Sequence, residues 1–208
     1  MAASLVSAAL AGLVLLGGLP GSQAKYLIDT RDNTVASARG LASDLMAFYK
    51  GNQSGEIPGI LSLPPPSGDY YWWSSAGFWS AFIDYWRLTG DTTYNDLVTQ
   101  GLQFQAGTPP FYAFMSPNWT ASMGNDDQCV WGLAAMRAAE TGFQNPPSGQ
   151  PQWLSLAQGV FDSMAMRIQN ETECGGGLRW QIPFFNVGYD YKNSASPKTR
   201  VSSVGSVL

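Results

Sequence analysis

Histidine is absent from this chain of 208 residues. Its absence excludes Ser-His-Asp and Cys-His catalysis and any zinc or haem site that depends on imidazole. Cysteine is almost absent too. Cys129 and Cys174 are the only 2, too few for a thiolate metal cluster. Charge is scarce: Asp, Glu, Lys and Arg make up 12% of the residues, where a soluble domain usually has about 25%. The 11 Lys and Arg residues form no stripe that could neutralise phosphates, so nucleic acid is not an expected partner. Proton transfer is left to carboxylates, Tyr or Lys. What is present is apolar and aromatic, 45% and 13% of the chain, with a net charge of −4. That is ample for a folded core.

Residues 1–24, MAASLVSAALAGLVLLGGLPGSQA, carry no charge. Leu10–Leu16 reads as the apolar region of a secretory signal peptide, with Ser22-Gln23-Ala24 as its cleavage site. The alternative, an uncleaved membrane anchor, is disfavoured by the short apolar run and by Pro20. A secreted chain gives meaning to three glycosylation sequons, at Asn52, Asn118 and Asn170. In that setting Cys129 and Cys174 are expected to form a disulfide. It would close a loop of about 45 residues and contribute roughly 3–4 kcal/mol on the chain-entropy model. Two buried thiols are the alternative.

Residues 25–193 read as one domain, or part of one, and 194–208 as a divergent tail. The periodicity is helical. A first helix is expected at about Asp32 to Lys50. A second carries Trp72, Ala76, Trp79, Ile83 and Trp86 at a three-to-four spacing and stops at Thr89-Gly90. A third starts near Thr92. A fourth runs from about Asn125 to Thr141-Gly142, and a fifth begins after Pro151 and reaches Ile168. WRLTG at Trp86–Gly90 is echoed 52 residues later by AAETG at Ala138–Gly142. LVTQGL and SLAQGV follow them in turn. Such a repeat, two antiparallel helices long, predicts stacked helix hairpins, which close into an α/α toroid when there are six. This length supplies about three. Cys174-Gly-Gly-Gly-Leu-Arg-Trp-Gln-Ile182 has no helical period and reads as a glycine loop entering a short strand.

Asn125-Asp126-Asp127-Gln128 opens the fourth helix. As a plain helix start, Asn125 is the N-cap and the two aspartates complement the helix dipole. As a site, adjacent side chains in a loose first turn put two carboxyls roughly 5 Å apart, the separation of a retaining glycosidase. Repulsion between the two would keep one protonated as the acid. A Mg²⁺-binding acidic motif would want a third acid one turn on, where Val130 and Trp131 stand. Trp72, Trp73 and Trp180 lie at element ends, where sugar-stacking faces are built. Most of the other aromatics, Trp79 and Trp86 among them, fit the seams between helices.

YYWWSSAGFWSAFIDYWRLTGDTTYND, MGNDDQCVWGLAAMRAAE and CGGGLRWQI with GYDYKNS together resemble the fungal family 76 glycoside hydrolases over about residues 25–194. The resemblance implies an (α/α)6 barrel with its active site in a central cleft. It implies endo-α-1,6-mannosidase activity, by hydrolysis or transglycosylation, in fungal cell-wall assembly. It places the catalytic pair on Asp126, the nucleophile, and Asp127, the acid/base, and implies no cofactor and no catalytic metal. The substrates it suggests are α-1,6-mannan or the mannan glycan of GPI-linked mannoproteins, acted on outside the cell at the wall or the outer face of the plasma membrane. Asn125 and Gln128 flank the pair and are candidates to bind sugar hydroxyls or orient a carboxylate. Arg179, beside Trp180, is a candidate to tune the nucleophile. Family members are about twice this length, and the tail after Ser194 has no apolar run of the anchor-signal kind. The chain is therefore expected to hold about the N-terminal half of the toroid. A catalytically inactive, secreted mannan-binding or wall-structural fragment is the alternative reading.

Overall fold

The computed structural model describes residues 26–115, 122–168 and 177–191. Asn118, Asn170, Cys174, the leader 1–24 and the tail 194–208 lie outside the described residues. Among the described residues the structure is all-α, as the periodicity predicts. The helices are α1 Arg31–Met46, α2 Trp72–Thr89, α3 Asn95–Phe104, α4 Asn125–Thr141 and α5 Trp153–Met166. All five expected helices are present. The ends of α2 and α4 fall at the expected glycines. Gly90 and Gly142 adopt φ of 72° and 68°, the left-handed C-cap that a Cβ would penalise, and each returns its N–H to a carbonyl of the last turn.

The chain divides into two compact units, Met1–Leu41 and Ala42–Leu208. In the first, Thr30 caps α1 by accepting from Asn33 N–H at 3.1 Å. The Ser37 hydroxyl ties down Leu27, donating to its carbonyl at 2.6 Å and accepting from its N–H at 2.7 Å.

The second unit holds the core and the site. In it α2 packs against α3 and α4, and α4 packs against α5, so the two repeated hairpins share the α2–α4 seam. Small residues on α4, Ala134, Ala135 and Ala138, let the helices approach, while Trp79, Phe82, Ile83, Leu156 and Val160 fill the seams. Among the fully buried indoles, Trp72, Trp79 and Trp153 find acceptors for their N–H, while Trp131 Nε1 has none among the described residues. Trp79 donates to Gly59 O at 2.8 Å and Trp153 to Gln144 O at 2.9 Å. Trp86, partly buried, meets Phe143 edge to face at 5.1 Å.

Two expectations change. In place of a strand after the glycine loop there are, among the described residues, isolated bridge positions at Gly177, Arg179 and Gln181, the last pairing antiparallel with Gly124. The N-cap of α4 is Gly124, not Asn125, which forms the first helical residue. Both changes have one cause. The Asn125 N–H, an orphan donor at a helix start, is taken by Trp180 O at 2.8 Å, and Met123 O accepts from Ile182 N–H at 2.8 Å. The segment 180–182 is held by the start of α4 and needs no sheet.

A candidate active site at the start of α4

Asp126 and Asp127 sit in the first turn of α4, both half-buried, and with Val130 they form one side of a cavity of about 550 Å³. Residues 126, 127 and 130 share one face of the helix. Asn125, Gln128 and Cys129 lie on the other and are buried. Adjacent carboxylates can therefore enter one cleft without breaking helical geometry. Each is fixed by the backbone. Asp127 Oδ2 accepts from Gly124 N–H at 2.8 Å, and Asp126 Oδ1 accepts from Asp127 N–H at 3.1 Å.

Gly124 lets three groups converge. A Cβ built on it would fall inside contact distance of Asp126 Oδ1 and lie 3.1 Å from both Asp127 Oδ2 and Trp180 Nε1. Its φ of −81° suits any residue, so space and not backbone angle favours glycine here. Two carboxylate oxygens and an indole N–H thus surround one small volume.

Much of the remaining lining is aromatic. Tyr71, Trp73 and Trp180 line the cavity and keep 48%, 49% and 38% of their surface exposed. Such faces, next to carboxylates that accept hydrogen bonds, suit a polyhydroxylated ring. Gly77, one turn beyond Trp73, also lines the cavity, and a Cβ there would meet nothing within 4 Å. Among the described residues no three His, Cys, Asp or Glu side chains converge as a metal site would require.

Other expected contacts lie elsewhere. Trp72 is 1% exposed, because it is rotated about 100° from Trp73 around α2. Its ring sits 5.4 Å from Trp131 and its N–H donates to Gln105 Oε1 at 2.9 Å, so it belongs to the core under the cleft. Asn125 and Gln128 are buried, with their amides engaged by protein. Asn125 donates to Arg179 O at 2.8 Å, and Gln128 donates to Phe114 O at 2.7 Å. They orient the turn and do not line the cleft. The Arg179 guanidinium pairs with Asp190 at 2.8 Å and lies 4.9 Å above the Tyr189 ring. Its carbonyl serves the helix start by accepting from Asn125. Cys129 is buried on α4, and Asn52 is exposed, as a sequon must be.

Sequence reasoning missed Arg167. It is the C-cap of α5, and it reaches across to Asn125 Oδ1 at 2.9 Å and to Gln128 Oε1. Burial pushes its guanidinium down to about 10. The available signal was a lone cation directly after the apolar run Met164-Ala165-Met166, at a position the helical period turns inward.

Residues 33–200 match the model of glycosyl hydrolase family 76. The chain belongs to this family. Among family 76 relatives, it is 51% identical over 156 residues to mannan endo-1,6-alpha-mannosidase DCW1 of Eremothecium gossypii, covering 75% of this chain and 33% of that protein. It is 38% identical over 152 residues to mannan endo-1,6-alpha-mannosidase DFG5 of Saccharomyces cerevisiae, covering 73% of this chain and 31% of that one. Among solved structures, Dfg5 from Chaetomium thermophilum, crystallised with glucosamine, superposes with a TM-score of 0.81 at 50% identity, covering 89% of this chain and 45% of that one. The chain thus spans about one third of the length of the curated relatives it matches and a little under half of the solved family 76 structure. The all-α, family 76 fold expected from the sequence is borne out, as is the family itself.

Proposed function

We propose that this chain carries the catalytic pair of an endo-α-1,6-mannosidase that cleaves, or transfers, α-1,6-mannosyl chains with retention. One observation carries the reading: Asp126 and Asp127 enter a single aromatic-walled cleft from the first turn of α4. Relatives named mannan endo-1,6-alpha-mannosidases supply the substrate class. In the first step the Asp126 carboxylate attacks the anomeric carbon, the bond from that carbon to the glycosidic oxygen breaks, and Asp127 gives its proton to that oxygen. In the second, Asp127 takes a proton from water or from an acceptor hydroxyl. That oxygen then attacks the anomeric carbon and releases Asp126. Trp73, Tyr71 and Trp180 stack on the sugar rings.

The setting we propose is extracellular. Residues 1–24 act as a secretory leader, Asn52, Asn118 and Asn170 carry glycans, and Cys129 pairs with Cys174. The enzyme works at the fungal wall or the outer face of the plasma membrane on mannan or on mannan glycans of GPI-linked proteins.

Asp126→Asn and Asp127→Asn are each expected to abolish turnover of an α-1,6-mannan oligosaccharide while binding, read by calorimetry, persists. Wild-type turnover in both variants would overturn the assignment. Binding with no turnover in the unmodified chain would favour a mannan-binding role for this length of polypeptide.

A further inference from the structure

Arg167 is held by three neutral oxygens among the described residues: Asn125 Oδ1 at 2.9 Å, Gln128 Oε1, and Ser163 Oγ one turn back on α5. A half-buried guanidinium held by neutral oxygens, with no carboxylate facing it among the described residues, is a costly way to bridge two helices, and a well-packed apolar side chain would often stabilise the fold as well. Its position at the C-terminus of α5, where carbonyls point outward, offsets only part of that cost. What distinguishes it is the choice of partners. Asn125 and Gln128 are the residues immediately before and after Asp126-Asp127. Their remaining amide donors go to Arg179 O at 2.8 Å and Phe114 O at 2.7 Å. One guanidinium therefore clamps both flanks of the aspartate pair. Through Asn125 it also steadies the segment that carries Trp180.

We propose that Arg167 is a positioning residue for the aspartate pair, fixing the first turn of α4 so that both carboxylates face the cleft in one register. The proposal rests on the catalytic reading of Asp126 and Asp127. It assigns Arg167 no contact with substrate. A cation free to swing toward the sugar would act on binding, whereas one locked behind the helix acts on the geometry of the reacting groups. Its loss should therefore lower kcat and leave KM nearly unchanged.

The test uses Arg167→Met, Arg167→Lys and Ser163→Ala in the full chain, with Asp126→Asn as the control for catalysis itself. Arg167→Met is expected to melt cooperatively and to lose about 100-fold in kcat on an α-1,6-mannan oligosaccharide, the scale of a 1 Å misplacement of reacting groups. Arg167→Lys keeps the charge and one contact and should recover part of that loss. Ser163→Ala removes one anchor and should show a smaller fall in kcat, again at constant KM. It decides the matter alone if Arg167→Met does not fold. Wild-type kcat in the folded variants, with Asp126→Asn inactive, would overturn the role of Arg167 and leave the catalytic reading standing. Full activity in Asp126→Asn would overturn the catalytic reading instead. If the unmodified chain turns nothing over, the carboxyl carbon resonances of Asp126 and Asp127 report the same geometry. Arg167→Met and Ser163→Ala should shift them, and unchanged resonances would overturn the proposal.

Discussion

Asp127 Oδ2 accepts a hydrogen bond from Gly124 N–H at 2.8 Å while the same side chain lines the cleft. A helix cap and a catalytic carboxylate are usually weighed as rival readings of an acidic pair at a helix start. Here one side chain makes the hydrogen bond at the helix start and also faces the cleft. The cap holds one oxygen still, which is what a group that must meet a glycosidic bond in a fixed geometry requires.

The two roles separate by substitution. Asp127→Ala loses the acceptor for Gly124 N–H and should cost about 0.5–1.5 kcal/mol in a thermal or denaturant melt. Asp127→Asn keeps an acceptor oxygen and should melt near wild type. Both should be inactive on mannan oligosaccharides. Equal stability for the Ala and Asn variants would show that the cap contributes nothing.

Gly124 gives a sharper test of the cleft's geometry. A methyl group on its Cα would overlap Asp126 Oδ1 and press against Asp127 Oδ2 and Trp180 Nε1. The overlapping atom ends a short, rotatable side chain, so the fold can relax by turning the carboxylate away. Gly124→Ala is expected to keep its melting temperature within a few degrees, corresponding to less than about 1 kcal/mol, and to lose most of its turnover. A variant as active as wild type would mean that Asp126 does not need its observed rotamer.

The large elements were legible in the sequence because apolar spacing and glycine stops report directly on packing and on left-handed caps. Trp72–Thr89 and Asn125–Thr141 end where Gly90 and Gly142 predict. Asp126 and Asp127 were legible because two adjacent carboxylates are conspicuous in a chain so poor in charge. The partition of the neighbouring polar groups was not. Whether Asn125 and Gln128 face sugar or protein depends on Arg167, 42 and 39 residues away, and no local pattern encodes that contact. Trp72 and Trp73 differ only by their angle around α2, so the helix start had to be known to within one residue before the core indole could be told from the cleft indole. The short strand failed for a related reason. Segment 180–182 pairs with a helix terminus, a partner that period-two reasoning does not consider.

Gly77 separates cleft volume from helix stability. It lies inside α2, exposed, with open space where its Cβ would stand. Gly77→Ala should raise stability by roughly 0.5–1 kcal/mol, because alanine loses less backbone freedom in a helix. Gly77→Phe should project a ring into the cavity bounded by Trp73 and Asp126 and block oligosaccharide binding without unfolding the helix. Binding to the Phe variant with unchanged affinity, measured by calorimetry, would move the substrate to another surface.

Tyr49 is 4% exposed, and its hydroxyl oxygen accepts from the buried Gly59 N–H at 3.0 Å. Burial raises its pKa above the ordinary tyrosine value, outweighing the hydrogen bond from Gly59, which favours the phenolate. For an acid whose folded-state pKa is raised, the folded chain holds its proton where the unfolded chain has released it. The associated stability is complete below about pH 10 and is lost as pH rises beyond it. Arg167, lowered to about 10, acts in the opposite sense over the same range, but it is common to wild type and variant and cancels in their difference. Tyr49→Phe leaves Gly59 N–H unpaired and should cost about 1–3 kcal/mol at neutral pH. It also removes the titration, so the gap between wild type and variant should narrow as melts are repeated from pH 8 to pH 11. A gap constant across that range would mean that the Tyr49 hydroxyl is reached by water in the folded chain.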